Sequence, residues 1–274
     1  MELLNYETLK KSGYDGYILE KAPEKVLQFG EGNFLRAFVD YWFDLANEKA
    51  GWNGKCCLVQ PIAPGLSKMI NEQEGLYTLY LRGSEKGQKV DDKRVISSVS
   101  RCLNPYREED FQKMMEVSVS DDLEYVVSNT TEAGIVYDPA CQLEDKPCSS
   151  FPGKLTQVLY KRWQAGKSGL VILSCELIDN NGKELLKCVN QYIDQWGLEA
   201  DFRAYVNEKC RYTPILDFPD ASELLFTRPV LRRAVTMGLY KNSTSALLSP
   251  AFSRLKGRKT GSSISSTACR GTPM

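Results

Sequence analysis

The 274-residue sequence predicts an α/β fold in which helices cover both faces of a doubly wound, parallel sheet. Short apolar runs of strand length alternate with segments whose apolar residues recur at helical spacing. A glycine-rich turn follows the first of these runs and precedes the first long helical segment. The composition, with 42% hydrophobic and 26% charged residues, is typical of a globular protein.

The first three elements predict a βαβ unit. Residues 24–29 form a short apolar run that ends at Gly30, which is the pattern of a buried strand. The apolar positions then follow helical spacing over residues 33–51, and residues 55–60 predict a second strand. Strand, helix and strand within such a span are typical of a βαβ unit.

The next two predicted strands, over residues 76–82 and 95–99, have no helix between them. They therefore predict a β hairpin inserted in the wound sheet. The later elements again alternate and extend the wound sheet. They are helices over 108–119 and from 151, strands over 123–128 and 169–174, a turn at Asn181-Gly182, helices over 183–195 and 198–207, and an irregular loop over 139–152.

The charge distribution divides the chain into a domain and a tail. All 35 acidic residues lie at or before Glu223, whereas nine of the 35 basic residues follow it. Residues 1–223 thus carry 26 − 35 = −9, and the remainder carries +9. We expect a nucleotide-binding domain over residues 1–220 and, over 221–274, a basic tail that is disordered or out of frame.

Several functional classes are excluded or disfavoured by composition. The chain has no histidine, which removes the commonest general acid/base and metal ligand. Its nine cysteines form no CxxC pairs, so we expect free thiols in a reducing cytoplasm and no metal site. No apolar run reaches about 18 residues and no signal peptide is evident, so we expect neither a membrane span nor secretion.

The turn Gly30-Glu31-Gly32 matches the first two glycines of the dinucleotide-binding fingerprint. The first glycine permits a sharp turn, and the second permits close approach of a pyrophosphate to the start of the following helix. Leu35 occupies the third glycine position, and neutral Gln60 stands where a carboxylate would hold the ribose. A plain tight turn is the alternative, but the βαβ context favours a Rossmann-like cofactor site.

Polar residues after the later strands are further candidates. Asn129 and Thr130 follow the strand over 123–128, where they would line a nucleotide site or cap the next segment. Glu176 and Asp179 follow the next strand and are interpreted as turn formers or as supports beside the site. The candidate cofactor-binding residues are Gly30, Gly32, Asn33, Phe34, Leu35, Arg36, Gln60, Asn129 and Thr130.

Residues 28–38, Gln-Phe-Gly-Glu-Gly-Asn-Phe-Leu-Arg-Ala-Phe, resemble the cofactor turn of the polyol-specific long-chain dehydrogenases, the mannitol dehydrogenase family. The resemblance covers roughly residues 20–220 and makes Leu35 part of the family pattern. It implies NAD as cofactor and hydride transfer to the keto group of a hexuronate, D-tagaturonate giving D-altronate. Fructuronate-reducing members and other polyol dehydrogenases are the near alternatives. Supporting segments are residues 71–79, 128–134, 151–156 and 175–182.

The sequence departs from this family after residue 220. The resemblance implies a second, helical domain whose Lys, Asn and His motif performs proton transfer, and no K-x-x-x-x-N-x-x-H pattern occurs here. The catalytic residues are therefore unknown, and we expect the chain to be inactive alone. A change of reading frame near residues 222–230 would explain the loss of acidic residues. A nucleotide-binding module with a nucleic-acid-binding tail is a weaker alternative, because the tail shows little aromatic interleaving.

Overall fold

The computed structural model describes residues 3–85, 88–131 and 133–214. The predicted basic tail over 221–274, its proposed change of reading frame and its nucleic-acid-binding alternative all lie outside the described residues. Across the described ranges, no helix combines the length and the apolar character needed to cross a bilayer.

The main sheet has six strands in the order β5-β2-β1-β6-β7-β8, and every neighbouring pair is parallel. This confirms the doubly wound α/β fold. The chain reverses its direction of winding between β1 and β6, which is where such sheets bind ligands. The strands are β1 (Glu24–Phe29), β2 (Lys55–Val59), β5 (Val99–Leu103), β6 (Tyr125–Ser128), β7 (Val171–Ser174) and β8 (Arg211–Pro214).

A separate two-stranded antiparallel sheet consists of β3 (Tyr77–Glu85) and β4 (Gln88–Ile96). The predicted hairpin is confirmed, but the predicted strand over residues 95–99 is wrong. Residues 95–99 contain the end of β4 and the start of β5, and the buried Ser97 and Ser98 separate these two strands. Strand β5 therefore belongs to the main sheet. The main sheet also contains β8, a strand that the sequence pattern did not predict.

The helices of the described ranges agree with most predictions but begin or break at different residues. The helix predicted over 33–51 has a break at Phe38, where φ is −114° and ψ is −69°. Asn181-Gly182, predicted as a turn, forms the first residues of a helix instead. The helices are α1 (Tyr6–Lys11), α2 (Asn33–Ala37), α3 (Val39–Ala50), α4 (Ser67–Glu72), α5 (Glu108–Ser118), α6 (Phe151–Gln164), α7 (Asn181–Gln195) and α8 (Ala200–Ala204), followed by a π-helical turn (Tyr205–Lys209).

Two hydrophobic clusters lie on opposite faces of the sheet, as the alternation of side chains along a strand requires. In β1, Leu27 and Phe29 belong to one cluster and pack with α5, α6 and α7. Val26 belongs to the other cluster, which includes Leu35 and Phe43 from α2 and α3. Helices on both faces fix the ends of the parallel strands, and the candidate site lies at their carboxyl edge.

Candidate cofactor site

Gly30 forms a sharp turn between three strand ends. Its φ is +119°, a value that L side chains rarely adopt, and its N–H donates to Val59 O at 3.0 Å. A Cβ at this position would lie 2.8 Å from Asn129 O and 3.2 Å from Leu35 Cδ1. The turn therefore needs glycine for its own conformation and for its approach to the end of β6.

Gly32 differs from Gly30 in both respects. Its φ is −69°, which any residue adopts, and a Cβ there would meet no heavy atom within 4 Å. Neither backbone strain nor packing within the described residues requires glycine at this position. The open space lies in front of the N-terminus of α2, where Asn33 and Phe34 are exposed. This space fits a pyrophosphate placed against the backbone N–H groups of the turn.

Arg36, in α2, holds the turn together. Its Nε donates to Glu31 O at 2.9 Å and its Nη2 donates to Asn33 Oδ1 at 2.7 Å. The guanidinium also lies over the ring of Tyr77, 5.4 Å from the centroid, and Tyr77 Oη donates to Arg36 O at 2.6 Å. Arg36 is thus placed at the turn, where it orders the backbone that would face the cofactor.

The side chains of Leu35 and Phe34 face different environments. Leu35 is 1% exposed and packs in the core cluster that includes Val26 and Leu58. Its side chain fills the space that a third glycine would leave, so the backbone is the part of Leu35 that can face a ligand. Phe34 is partly exposed and stacks on Phe38, with ring centroids 5.5 Å apart.

Gln60 organises the loop that follows β2. Its Nε2 donates to Ile62 O at 2.9 Å and to Ala63 O at 2.7 Å. Its Oε1 accepts from Ser67 N at 3.3 Å. The amide is therefore committed to the loop over residues 61–67, and its contact with a ribose hydroxyl stays a prediction.

Asn129 and Thr130 are held at the ends of β6 and β7. Asn129 Nδ2 donates to Cys175 O at 2.8 Å, and both N and Oγ1 of Thr130 donate to Glu176 Oε1, at 3.0 and 3.2 Å. Ser128 Oγ donates to Glu176 Oε2 at 3.1 Å. The fully buried Glu176 is therefore a support that joins the two strand ends, which is one of the two roles expected for it.

Two open depressions lie beyond the carboxyl ends of the strands. One, of about 410 Å³, lies beyond β6 and β7. The other, of about 420 Å³, lies beyond β2 and β5. The first is lined by Asn129, Thr131, Ala133 and Leu177, and the second by Ser67, Lys68, Asn71, Glu72 and Arg107.

Two buried ionisable groups lie near this edge of the sheet. Burial raises the pKa of the Asp40 carboxyl to about 7, and a hydrogen bond from Tyr77 Oη at 3.3 Å only partly opposes the shift. Burial lowers the pKa of the Lys154 ammonium to about 8. Lys154 Nζ donates to Ser149 O at 2.8 Å and to Tyr106 Oη at 3.1 Å. Both groups are more easily neutralised than their exposed counterparts.

The irregular loop before α6 brings Cys141, Asp145 and Cys148 within 4.8 Å of one another. Sequence reasoning missed this grouping because the residues do not form a CxxC pair. Cys141 Sγ lies 3.1 Å from Ser149 Oγ, and Cys148 Sγ donates to Gln142 O at 3.2 Å. The loop's own hydrogen bonds account for the positions of both thiols.

Comparisons with known proteins identify the family. Residues 24–216 match the family model described as the mannitol dehydrogenase Rossmann domain. Altronate oxidoreductase of Phocaeicola vulgatus is 45% identical over 222 residues, which is 79% of this chain and 44% of that protein. Altronate oxidoreductase of Bacillus subtilis is 44% identical over 206 residues, 74% of this chain and 42% of that protein. The chain thus spans less than half the length of these relatives.

Solved structures share the fold at lower sequence identity. Pseudomonas fluorescens mannitol 2-dehydrogenase, in a ternary complex with NAD and D-mannitol, matches with a TM-score of 0.64 and 21% identity, covering 77% of this chain and 46% of that one. A substrate-free D-sorbitol dehydrogenase matches with a TM-score of 0.61 and 20% identity, with the same coverage of each chain. The fold and the family model agree, and the chain belongs to the mannitol dehydrogenase family through its Rossmann domain.

Proposed function

We propose that this chain carries the NAD(H)-binding domain of a cytoplasmic dehydrogenase that interconverts D-tagaturonate and D-altronate. The observation that carries the proposal is the open space at Gly32, a glycine that neither the packing nor the dihedral angles of the described residues explain. The name altronate oxidoreductase, given to relatives 40–45% identical, supports the substrate. The eight cysteines of the described ranges are free and buried, which supports a reducing compartment.

Each part of the site has a role in this proposal. The backbone N–H groups after Gly30 bind the pyrophosphate, and Arg36 fixes their direction through Glu31 O. Glu176 positions Thr130, and Cys175 O positions Asn129, which lines the depression beyond β6 and β7 on the side that we assign to the nicotinamide. Bound NAD(H) supplies the hydride-transfer chemistry, and the domain supplies its orientation.

Turnover also requires a group that moves a proton at the substrate oxygen. The sequence contains no histidine, and the Lys, Asn and His pattern implied by the family resemblance is absent. Lys154 is a buried lysine with a lowered pKa, but its ammonium is hydrogen-bonded inside the domain. We therefore expect the 274-residue polypeptide to bind NADH without oxidising it when D-tagaturonate is added.

The binding proposal is tested by comparing Gly32→Ala with Gly83→Ala. Both positions have open space for a Cβ, so both variants should fold, and Gly32→Ala should lose only the small stability by which glycine exceeds alanine as the N-cap of α2. Only Gly32→Ala should weaken NADH binding, by about tenfold to a hundredfold, because its methyl group separates the pyrophosphate from charge-assisted backbone hydrogen bonds. NADH fluorescence titration measures the affinity. Wild-type affinity in the Gly32→Ala variant would contradict the proposed site.

A further inference from the structure

The end of β2 lacks the carboxylate that usually holds the adenosine ribose of a dinucleotide, since the sequence there is Val59-Gln60-Pro61. A carboxylate nevertheless reaches this place from the neighbouring turn. Gly30 N is hydrogen-bonded to Val59 O, so the residue after Gly30 starts beside the end of β2. That residue is Glu31, which is only 8% exposed.

One hydrogen bond and one close approach of the backbone place the Glu31 carboxylate against the loop that follows β2. Its Oε1 accepts from Leu66 N at 3.3 Å. A Cβ built on Gly65 would lie 2.6 Å from Glu31 Oε1 and 2.7 Å from Gln60 Oε1. The backbone at Gly65 therefore packs against both oxygens. Glu31 and Gln60 converge beyond the carboxyl end of β2, the place where a ribose-binding carboxylate normally stands.

We infer that Glu31 binds the adenosine ribose hydroxyls of NAD(H) and selects against the 2′-phosphate of NADP(H). The inference rests on the proposed function. A carboxylate has about four acceptor sites on two oxygens, so a single long hydrogen bond from Leu66 N leaves capacity for two ribose hydroxyls. The dianionic phosphate of NADP(H) offers no such donors and is repelled by the charge of Glu31.

Arg36 and Gln60 hold Glu31 in position before a ligand binds. Arg36 Nε holds the carbonyl oxygen of Glu31 at 2.9 Å. Gln60 holds the loop that supplies Gly65 and Leu66 through its bonds to Ile62 O and Ala63 O. A carboxylate held in this way loses little conformational entropy when it binds a ligand.

Two cations beyond the ends of β2 and β5 would oppose this selectivity. Lys68 and Arg107 line the depression beyond β2 and β5 and would attract a phosphate. The charge of Lys68 is partly offset, because its Nζ lies 3.7 Å from a carboxylate oxygen of Glu72. The inference therefore predicts that Glu31, and not these cations, sets the preference between the two cofactors.

The test compares NADH and NADPH binding to the full chain and to Glu31→Gln by fluorescence titration. Glutamine keeps an oxygen for Leu66 N but removes the charge, so the loop is retained. We expect wild type to prefer NADH. In Glu31→Gln, NADH affinity should fall about tenfold or more and NADPH affinity should not fall, so the ratio of the two dissociation constants narrows at least tenfold. Glu116→Gln, at an exposed position on α5, is the matched charge control and should leave the ratio unchanged.

If the role of Glu31 is purely structural, Glu31→Gln should weaken the binding of NADH and NADPH equally and leave the ratio of their dissociation constants unchanged. That result, or a wild-type preference for NADPH, would overturn the inference while the proposed function stands. If the wild-type chain binds neither NADH nor NADPH, the proposed function fails and the inference fails with it. Titration with ADP-ribose and 2′-phospho-ADP-ribose assigns any measured preference to the adenosine half, because neither compound has a nicotinamide.

Discussion

Asp40 provides a pH-dependent test of the packing beneath the cofactor turn. Its carboxyl is fully buried in the first turn of α3, and burial raises its pKa from 3.8 to about 7. Gln28 interacts with this carboxyl. Gln28 Oε1 and Asp40 Oδ1 are both buried and have no hydrogen-bond donor within the described residues. Loss of solvation is the cause of the raised pKa, because burial disfavours the charged carboxylate, and the hydrogen bonds of Tyr77 and Gln28 to it only partly oppose the shift.

The sign of the effect follows from proton binding. Between about pH 4 and pH 7 the folded chain keeps the Asp40 proton and the unfolded chain loses it, so stability falls as the pH rises through this window. A shift of about three units at 1.36 kcal/mol per unit corresponds to roughly 4 kcal/mol. Asp40→Asn has nearly the same shape as wild type and does not titrate. Its stability relative to wild type should therefore rise by roughly 4 kcal/mol between about pH 4 and about pH 8.

Denaturant unfolding at a series of pH values measures this difference. Asp122→Asn, at an exposed position, controls for the loss of one negative charge and should show no comparable change in the same window. A difference between Asp40→Asn and wild type that stays constant from about pH 4 to about pH 8 would refute the reasoning, whichever variant is more stable.

Two further substitutions test the core around the site. Leu35→Gly restores the third glycine of the standard fingerprint, but it should cost about 3–5 kcal/mol by thermal denaturation, because it empties a buried position and places glycine in a helix. Leu35→Met is the volume-conserving control. Tighter NADH binding by Leu35→Gly without loss of stability would contradict the role of Leu35 in packing. Arg162→Met should also cost about 3–5 kcal/mol, because the buried guanidinium donates to the carbonyl oxygens of Ser118, Ser120, Leu123 and Ser168. Exposed Lys161→Met should change stability by less than about 0.5 kcal/mol, and an equal loss in both variants would count against the hydrogen-bond explanation.

The βαβ unit could be predicted from the sequence because its signals are local. An apolar run, a glycine turn and helical spacing all occur within residues 24–60. Strand β5 lacks such a signal, because Ser100 and Arg101 interrupt its apolar pattern. Both side chains instead donate hydrogen bonds to Glu24 Oε1, from Ser100 Oγ at 2.6 Å and from Arg101 Nε at 2.9 Å. The contact exists only after β1, β2 and β5 have paired, so sequence periodicity cannot show it.

The candidate site was partly predictable for the same reason. The two glycines and the polar strand ends are short-range patterns, and the structure brings them to one edge of the sheet. In the sequence Glu31 is only the residue between two glycines, because its carboxylate meets Gly65 and Leu66, 34 and 35 residues later in the chain, through the fold of a loop. The hydrogen bonds of Gln60 to that loop could not be predicted from the sequence for the same reason.

The contrast between Gly30 and Gly32 separates two kinds of evolutionary constraint. Gly30 lies against the backbone of Asn129, so replacing it damages the fold whether or not a nucleotide is present. Gly32 has free space around it and ordinary dihedral angles, so replacing it causes neither a clash with the described residues nor backbone strain. A lineage that stopped using the cofactor would be free to lose Gly32 while it retained Gly30. The pair thus gives a simple criterion for recognising descendants of this domain that keep the fold after losing the ligand.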